Sequence, residues 1–459
     1  PGMLIGALSF GHLPTVFLPA GPMTTGQGNN EKAKTRQDFA EGKIGRKELL
    51  ASESASYHGA GTCTFFGTAN SNQMLMEIMG LHLPGSSFIP PNTSLRDTLT
   101  AVAVETLISQ LNGSRQLTPL AKVINEKSIV NGMIGLLASG GSTNHAIHLI
   151  AIAKAAGITF DWQDMADLSA EVPLLCRIYP NGSADINHFQ AAGGMGFLMR
   201  ELSHGGYLHQ DVQTIMGEGL DAYFYVPELV PNIEADIYHS GSDVSTSKYS
   251  IQWKNTPAKS LDETILRPVS KPFSTEGGLK LLTGNLGRSV IKVSAVAKEH
   301  LLVEAPAIVF NSQGDFQKSF EAGKLEKDFV AVIRFQGPKT NGMPELHKLT
   351  PLLAIQQGKG FKVAIVTDGR MSGASGKIPA AIHLIPEASD GGAIAKICDG
   401  DLIRLDAVKG ELSLKVEADK LEERPLATLD KTTTHGVGRE LFANFRKNVL
   451  SAEQGATVF

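Results

Sequence analysis

The sequence is poor in cysteine, has no block of one charge sign and has no apolar run of membrane length. Cys63, Cys176 and Cys398 are its three cysteines in 459 residues. Three thiols do not make a disulfide framework, so the expected setting is a reducing cytoplasm. The 42 basic and 46 acidic residues leave a net charge of −4. Without a basic block, nucleic acid is excluded as the expected partner. The longest apolar stretches, such as Ala146–Ile158, are interrupted by His148 and Lys154, which excludes a membrane span. No signal peptide is visible. The chain opens on Pro1 rather than methionine, and the expectation is that an N-terminal segment, and perhaps internal loops, lie outside this sequence.

What is present is a soluble globular composition, 42% hydrophobic and 19% charged, in a chain long enough for two or three domains. Phe361–Val366 is a short Val/Ile-rich run that reads as a buried strand. It ends in Thr367-Asp368-Gly369-Arg370-Met371-Ser372-Gly373, a loop that sets an acid, a base and a hydroxyl between two glycines. Glycine lets a backbone approach a ligand closely, and loops at strand ends are where α/β proteins place their chemistry. A plain polar turn reads equally well on these residues alone. Two other motifs fail here. Gly376-Lys377 lacks the earlier glycine of a phosphate-binding loop, and Ile378 stands where that loop has Ser or Thr. Gly369-Arg370-Met371-Ser372 is one residue too long for a nucleophile elbow.

The first half reads as α/β. Leu4–Leu8 and Thr15–Leu18 are short apolar runs, and Pro19-Ala20-Gly21-Pro22-Met23 is a loop after a buried strand. Gln27–Arg46 reads as a solvated helix or loop. Cys63 sits among small residues, before a helix from about Thr68 to Met79 closed by Gly80. A thiolate before a helix start is favoured by backbone N–H groups and the dipole, although a lone cysteine with no C-x-x-C partner also reads as a packing residue. Cys176 and Cys398 lie in apolar surroundings and read as packing residues. Pro84-Gly85-Ser86-Ser87 is a turn that could offer hydroxyls. Leu95–Leu111 reads as an amphipathic helix. Ser139-Gly140-Gly141-Ser142-Thr143-Asn144-His145 opens a helix over His145–Ala156 and makes a candidate anion site. His145 and His148, three apart, lack the spacing of a two-histidine zinc helix.

A polar stretch around Asp243–Arg267 marks the expected boundary, with domains over 1–255 and 268–459. Beyond it come β-type runs at Ser289–Val296, Ala307–Phe310, Phe329–Arg334, Phe361–Val366, Asp401–Ala407 and Glu411–Glu417. The last two are joined by a hairpin signal, Val408-Lys409-Gly410. The expected fold class is α/β: an N-terminal α/β/α domain followed by a β-barrel-like, swivelling β domain closed by a helix over Arg439–Leu450. Arg334–Leu349 follows a strand, and its glycines and prolines present Lys339, Glu345 and His347 from a stiff loop. An exposed charged loop is the plainer reading.

The Thr-Asp-Gly-Arg-Met-Ser-Gly stretch resembles the C-terminal signature of the dihydroxyacid dehydratase / 6-phosphogluconate dehydratase family. Gly-Thr-Cys-Thr-Phe-Phe-Gly-Thr-Ala-Asn around Cys63 is similar to that family's second cysteine motif. The Gly-Gly-Ser-Thr-Asn-His run, Asp185–Gly194 and Gly-Pro-Lys-x-Asn-Gly-Met-Pro-Glu-Leu-His-Lys also resemble family stretches, the last looking more like the 6-phosphogluconate branch. Pro1-Gly2 would be the tail of the family's Cys-Asp-Lys-x-x-Pro-Gly motif. The resemblance implies a hydro-lyase that converts 6-phosphogluconate to 2-keto-3-deoxy-6-phosphogluconate. It also implies an iron–sulfur cluster (4Fe-4S, or 2Fe-2S) with Cys63 as one ligand, Mg²⁺ or Mn²⁺ with Glu345 as ligand, and a homodimer. By the same resemblance Ser372 is the base. Arg370 and Asp368 join it as candidate catalytic residues, and Lys339, Ser142, Thr143 and His145 are candidates for binding the phosphorylated sugar acid.

The chemistry agrees with that set. Eliminating water from a sugar acid needs a base for the weakly acidic proton beside the carboxylate and an acid for the leaving hydroxide. A serine serves as base only beside a metal or strong positive charge, and Arg370 is one source of such charge. Three readings compete: another sugar-acid or dihydroxyacid dehydratase, a metal lyase without a cluster, and a redox sensor built on Cys63. An iron and sulfide assay separates the second. The dense loops at Arg370 and Glu345 tell against the third.

Overall fold

The computed structural model describes residues 1–231, 249–373, 375–429, 436 and 438–459. Up to residue 204 they fold as helices α1 (Gly2–Leu8), α2 (Asn29–Ala40), α3 (Arg46–Ser56), α4 (Thr68–Ile78), α5 (Ser94–Leu111), α6 (Leu120–Val123), α7 (Glu126–Ser139), α8 (His145–Ala155), α9 (Trp162–Glu171), α10 (Ile186–Ala192) and α11 (Gly194–His204). The central α7 shows why. Asn125 caps its start in a reciprocal box with Ser128, and Gly140 ends it in a left-handed conformation at φ 62°. Nearly every residue between is buried, against Met74, Leu75 and Ile78 of α4 and Leu149 of α8. Each such large apolar side chain removed from water contributes roughly 1.5–3 kcal/mol.

This corrects the expected α/β/α layering of the first domain. The run at Leu4–Leu8 is helical, and the described residues add only a two-stranded ladder of β1 (Gln213–Thr214) with β2 (Gly217–Glu218), and another of β3 (Tyr225–Pro231) with β4 (Tyr249–Asn255). So short an apolar run carries too few residues to show a helical period, and only Leu4 of α1 is buried, so the run does not separate helix from strand. Residues 243–248 of the expected boundary lie outside the described residues.

The second half is a closed barrel of β5 (Leu279–Gly284), β6 (Gly287–Lys292), β7 (Leu302–Phe310), β8 (Phe329–Ile333), β9 (Val363–Thr367), β10 (Ala380–Ile385), β11 (Leu402–Asp406) and β12 (Glu411–Leu414). Around it the order is β10-β6-β5-β12-β11-β7-β8-β9. β7, β8, β9 and β10 run parallel, with Val332 opposite Val309 and Val366. Parallel strands covered on both faces need continuous apolar runs, and β8 and β9 are buried throughout. The barrel matches the expected β-rich C-terminal domain. Its closing helix is shorter than expected, Ala443–Asn448.

Candidate active site

The loop after β9 is pinned from below by Asp368. Its carboxylate accepts N–H bonds from Phe335 at 3.1 Å, Gln336 at 2.8 Å and Ala388 at 3.0 Å. These donors follow β8 and β10, so one buried acid ties three adjacent strand ends together. Burial pushes its pKa up, against those three bonds. Asp368, expected among the catalytic residues, is thus committed to the scaffold.

Above it the loop pairs with the Met343–Leu346 segment. Glu345 and Arg370 form a parallel backbone bridge. Arg370 Nε donates to the Met343 carbonyl at 2.8 Å, and its Nη1 lies 3.5 Å from Glu345 Oε1. Both side chains remain partly exposed. Lys339, expected near the substrate, instead pairs with Asp390 at 2.7 Å, on a turn whose N–H groups are held by the buried Glu387 carboxylate.

The far end of the loop meets the helical half. Gly373 lies against the start of α4 and Ser142 Oγ, where no side chain fits. Thr68 Oγ1 and Ser142 Oγ share a 2.9 Å hydrogen bond. Asn144 Nδ2 donates to Thr68 Oγ1 at 2.9 Å and to the Met371 carbonyl at 3.4 Å. Ser142, Thr143 and His145 are therefore brought to the loop, but buried beneath it, with His145 Nε2 3.0 Å from Ser71 Oγ. Thr143 and Ser372 line one small cavity of about 20 Å³ together with Lys292, room for about one water. A larger cavity, about 990 Å³, lies elsewhere, between Phe310, Arg334, Cys398 and Arg424.

Cys63 stands within electrostatic reach of both Glu345 and Lys32. Burial raises its thiol pKa, outweighing the Phe65 N–H and the Lys32 ammonium, which favour the thiolate. The expected thiolate preference is therefore reversed in the free chain. Cys176 is fully buried in the helical core, as expected. Cys398 is exposed rather than packed, in a turn where its N–H donates to Asp401 at 2.7 Å. The Ser86-Ser87 turn offers nothing to a ligand either: the Gly85 and Ser87 N–H groups close on Glu77, whose burial raises its pKa to about 7.

Two features escape a reading of the sequence. Lys292, at the end of β6, is buried and donates to the Gly140 carbonyl at 2.7 Å, tying the barrel to the loop before α8. Burial lowers its pKa to about 7. His383 in β10 is buried at φ 60°, and its N–H donates to the Gly369 carbonyl at 2.9 Å. Neither of its ring nitrogens has a protein partner, and His148 Nδ1 lacks one too. Both rings feel Arg370, and His145 stacks edge-on against His148 at 5.3 Å. The only signal in sequence was a polar residue inside an apolar run, IKV for Lys292 and AAIHLI for His383.

Both halves of the chain match known proteins. Residues 1–223 match the dihydroxy-acid/6-phosphogluconate dehydratase N-terminal domain, and residues 264–456 match the C-terminal domain. The chain is 58% identical, over its full length and 73% of the relative, to the phosphogluconate dehydratase of Pseudomonas aeruginosa. It is 52% identical to the phosphogluconate dehydratase of Escherichia coli K12, again over the whole chain and 73% of that protein. Identity to the dihydroxy-acid dehydratase of Clostridium botulinum is 33%, over 99% of the chain and 77% of that protein. The chain belongs to the dihydroxy-acid/6-phosphogluconate dehydratase family.

Proposed function

We propose that the chain is a hydro-lyase that converts 6-phospho-D-gluconate to 2-dehydro-3-deoxy-6-phosphogluconate and water, the dehydration step of the Entner–Doudoroff route. The observation that carries this reading is the whole-chain identity of 52–58% to proteins named phosphogluconate dehydratase, against 33% to a dihydroxy-acid dehydratase.

Ser372 is the base in this reading: its Oγ, as the alkoxide, takes the C2 proton and passes it to the C3 hydroxyl, which leaves as water and restores the alkoxide. The enol then loses its O–H proton and takes one from solvent at C3 to become the 2-keto acid. Arg370 supplies positive charge two residues away, with its guanidinium oriented by the Met343 carbonyl and Glu345. Thr68, Ser142 and Asn144 hold the loop in register through Gly373 and Met371. A serine oxygen needs such a fixed, cation-lined setting to act as a base.

Cys63 fits as one ligand of the family's iron–sulfur cluster, 4Fe-4S or 2Fe-2S. It is partly exposed, the Phe65 N–H is directed to its sulfur, and Lys32 stands near. Glu345, partly exposed on a stiff loop, fits a divalent cation such as Mg²⁺ or Mn²⁺. Among the described residues, no group of three or more His, Cys, Asp or Glu side chains gathers to complete a metal site. When bound, such a centre supplies a Lewis acid for the leaving hydroxyl. The test is a dehydration assay with 6-phosphogluconate and a dihydroxy acid side by side. Turnover of the sugar acid is expected, and turnover of the dihydroxy acid alone would move the chain to the other branch.

A further inference from the structure

Lys339 is paired with Asp390 and the Ser142 loop lies beneath Gly373, whereas a group of cations with no acidic partner among the described residues stands elsewhere. That group lies beside Cys63. The rings of Tyr57, Phe65 and Tyr179 form a continuous aromatic cluster, with Phe65 6.4 Å from Tyr57 and 5.3 Å from Tyr179, centroid to centroid. Three cations surround it. Lys32 Nζ sits 5.0 Å from the Phe65 centroid and Lys377 Nζ sits 5.7 Å from that of Tyr179. Arg36 Nη2 donates to Tyr57 Oη at 3.2 Å. Arg36 follows Lys32 by one turn of α2, and the two repel each other. Like charges at this spacing on a helix are destabilising, and Lys32 is also nearly buried. Among the described residues, none of the three cations has a carboxylate within ion-pair distance. Asp185 is the acid that Lys32 feels most. It is already engaged by Thr25 Oγ1 at 2.7 Å, His188 Nδ1 at 2.7 Å and the N–H groups of Asn187 and His188.

The position suits the far end of a sugar acid. Phe65 is two residues from Cys63, and the Phe66 N–H donates to the Tyr179 carbonyl, fixing the aromatic floor beside the thiol. Lys377 follows Ser372 on the same loop. We propose that Lys32, Arg36 and Lys377, arranged around Tyr57 and Tyr179 on the rim of the Cys63 loop, form the subsite that holds the phosphate of the substrate. A phosphate monoester carries nearly two negative charges and several strong acceptors. The Arg36 fork, two ammonium groups and the tyrosine hydroxyls match it in charge and in donors. A dihydroxy acid has no group for this subsite. The inference deepens the proposed function and rests on it for the identity of the phosphate carrier.

The test uses the cluster-loaded enzyme with Arg36→Ala, Lys32→Met and Lys377→Ala. Two quantities are read: KM for 6-phosphogluconate, and the Kd of inorganic phosphate by calorimetry. Loss of a charge-assisted contact is expected to raise both together by about 10- to 100-fold in Arg36→Ala and Lys32→Met, and less in the exposed Lys377→Ala. Arg36→Lys should recover part of the loss. Unchanged KM and phosphate affinity would overturn the subsite. So would a fall in kcat and cluster absorbance with both constants unchanged, since the cations would then serve the thiolate. Lys377 lies on the surface, so its variant keeps the test open if a substitution in α2 fails to fold. A wild-type enzyme that binds phosphate but does not dehydrate 6-phosphogluconate would end the functional reading and leave the subsite standing.

Discussion

Gly373 meets the start of helix α4 at Thr68: a methyl group on Gly373 would stand 2.5 Å from the Thr68 nitrogen and 2.6 Å from its Oγ1. This contact joins the barrel loop that carries Ser372 to the helical half that carries Cys63. Gly373→Ala must push the two apart. Overpacking of this kind costs about 1–3 kcal/mol, and the loop should shift before the barrel unfolds. The expected result is a fall in kcat of at least about 10-fold with a small drop in Tm. Full activity with an unchanged Tm would show that the contact does not position the loop.

Glu345 and Arg370 hold one another across two loops. Glu345→Gln keeps the shape and removes the charge, so activity and dependence on added divalent metal should fall together. A metal titration on the variant is the check. An unchanged metal dependence would make Glu345 an ordinary partner of Arg370.

Cys63 and Cys176 separate a ligand from a packing residue. Cys63→Ser should lose the visible absorbance of the cluster, and Cys176→Ser, in the apolar core, should keep it. Equal losses in both would contradict the assignment.

The buried histidines set an acid limit to stability. Burial lowers the pKa of His383 to about 3 and that of His148 to about 4, and holds His145 well below its usual value. Between those values and 6.5 the unfolded chain takes up protons that the folded chain refuses. Stability is therefore lost as pH falls below 6.5, each histidine contributing up to about 1.4 kcal/mol per pH unit. Glu77 works the other way below pH 7, but it cancels in a comparison of variants. In His383→Phe the slope of the urea midpoint between pH 6.5 and 5.5 should flatten by one such increment. Parallel slopes for the two proteins would contradict the account of His383.

Much of the site was legible because it is local in sequence. Thr68–Ile78, His145–Ala155 and the strand Val363–Thr367 fall close to where periodicity and glycine punctuation put them. Cys63, Glu345 and Ser372 carried motif signals, and the fold brings Cys63 and Glu345 within reach of one another. What could not be read depends on distant partners. Asp368 looks like a catalytic acid until Phe335, Gln336 and Ala388 are found to occupy it. Lys339 looks available until Asp390 is found beside it. Lys292 belongs to the site only because β6 ends against Gly140. The helix at Leu4–Leu8 was hidden because so short a run cannot show a helical period.

The central claim is that Ser372 takes the C2 proton, and solvent exchange at C2 tests it most directly. Ser372→Ala removes one oxygen and should leave the fold intact, whereas turnover should fall by about 10² or more, the usual scale for lost acid–base help. Ser375→Ala, at a neighbouring hydroxyl bonded to Thr350, should do much less. With 6-phosphogluconate deuterated at C2, the account predicts that Ser372→Ala loses wash-out of the label together with dehydration. A variant that exchanges the label at the wild-type rate but forms no keto acid would place the base elsewhere and contradict the account.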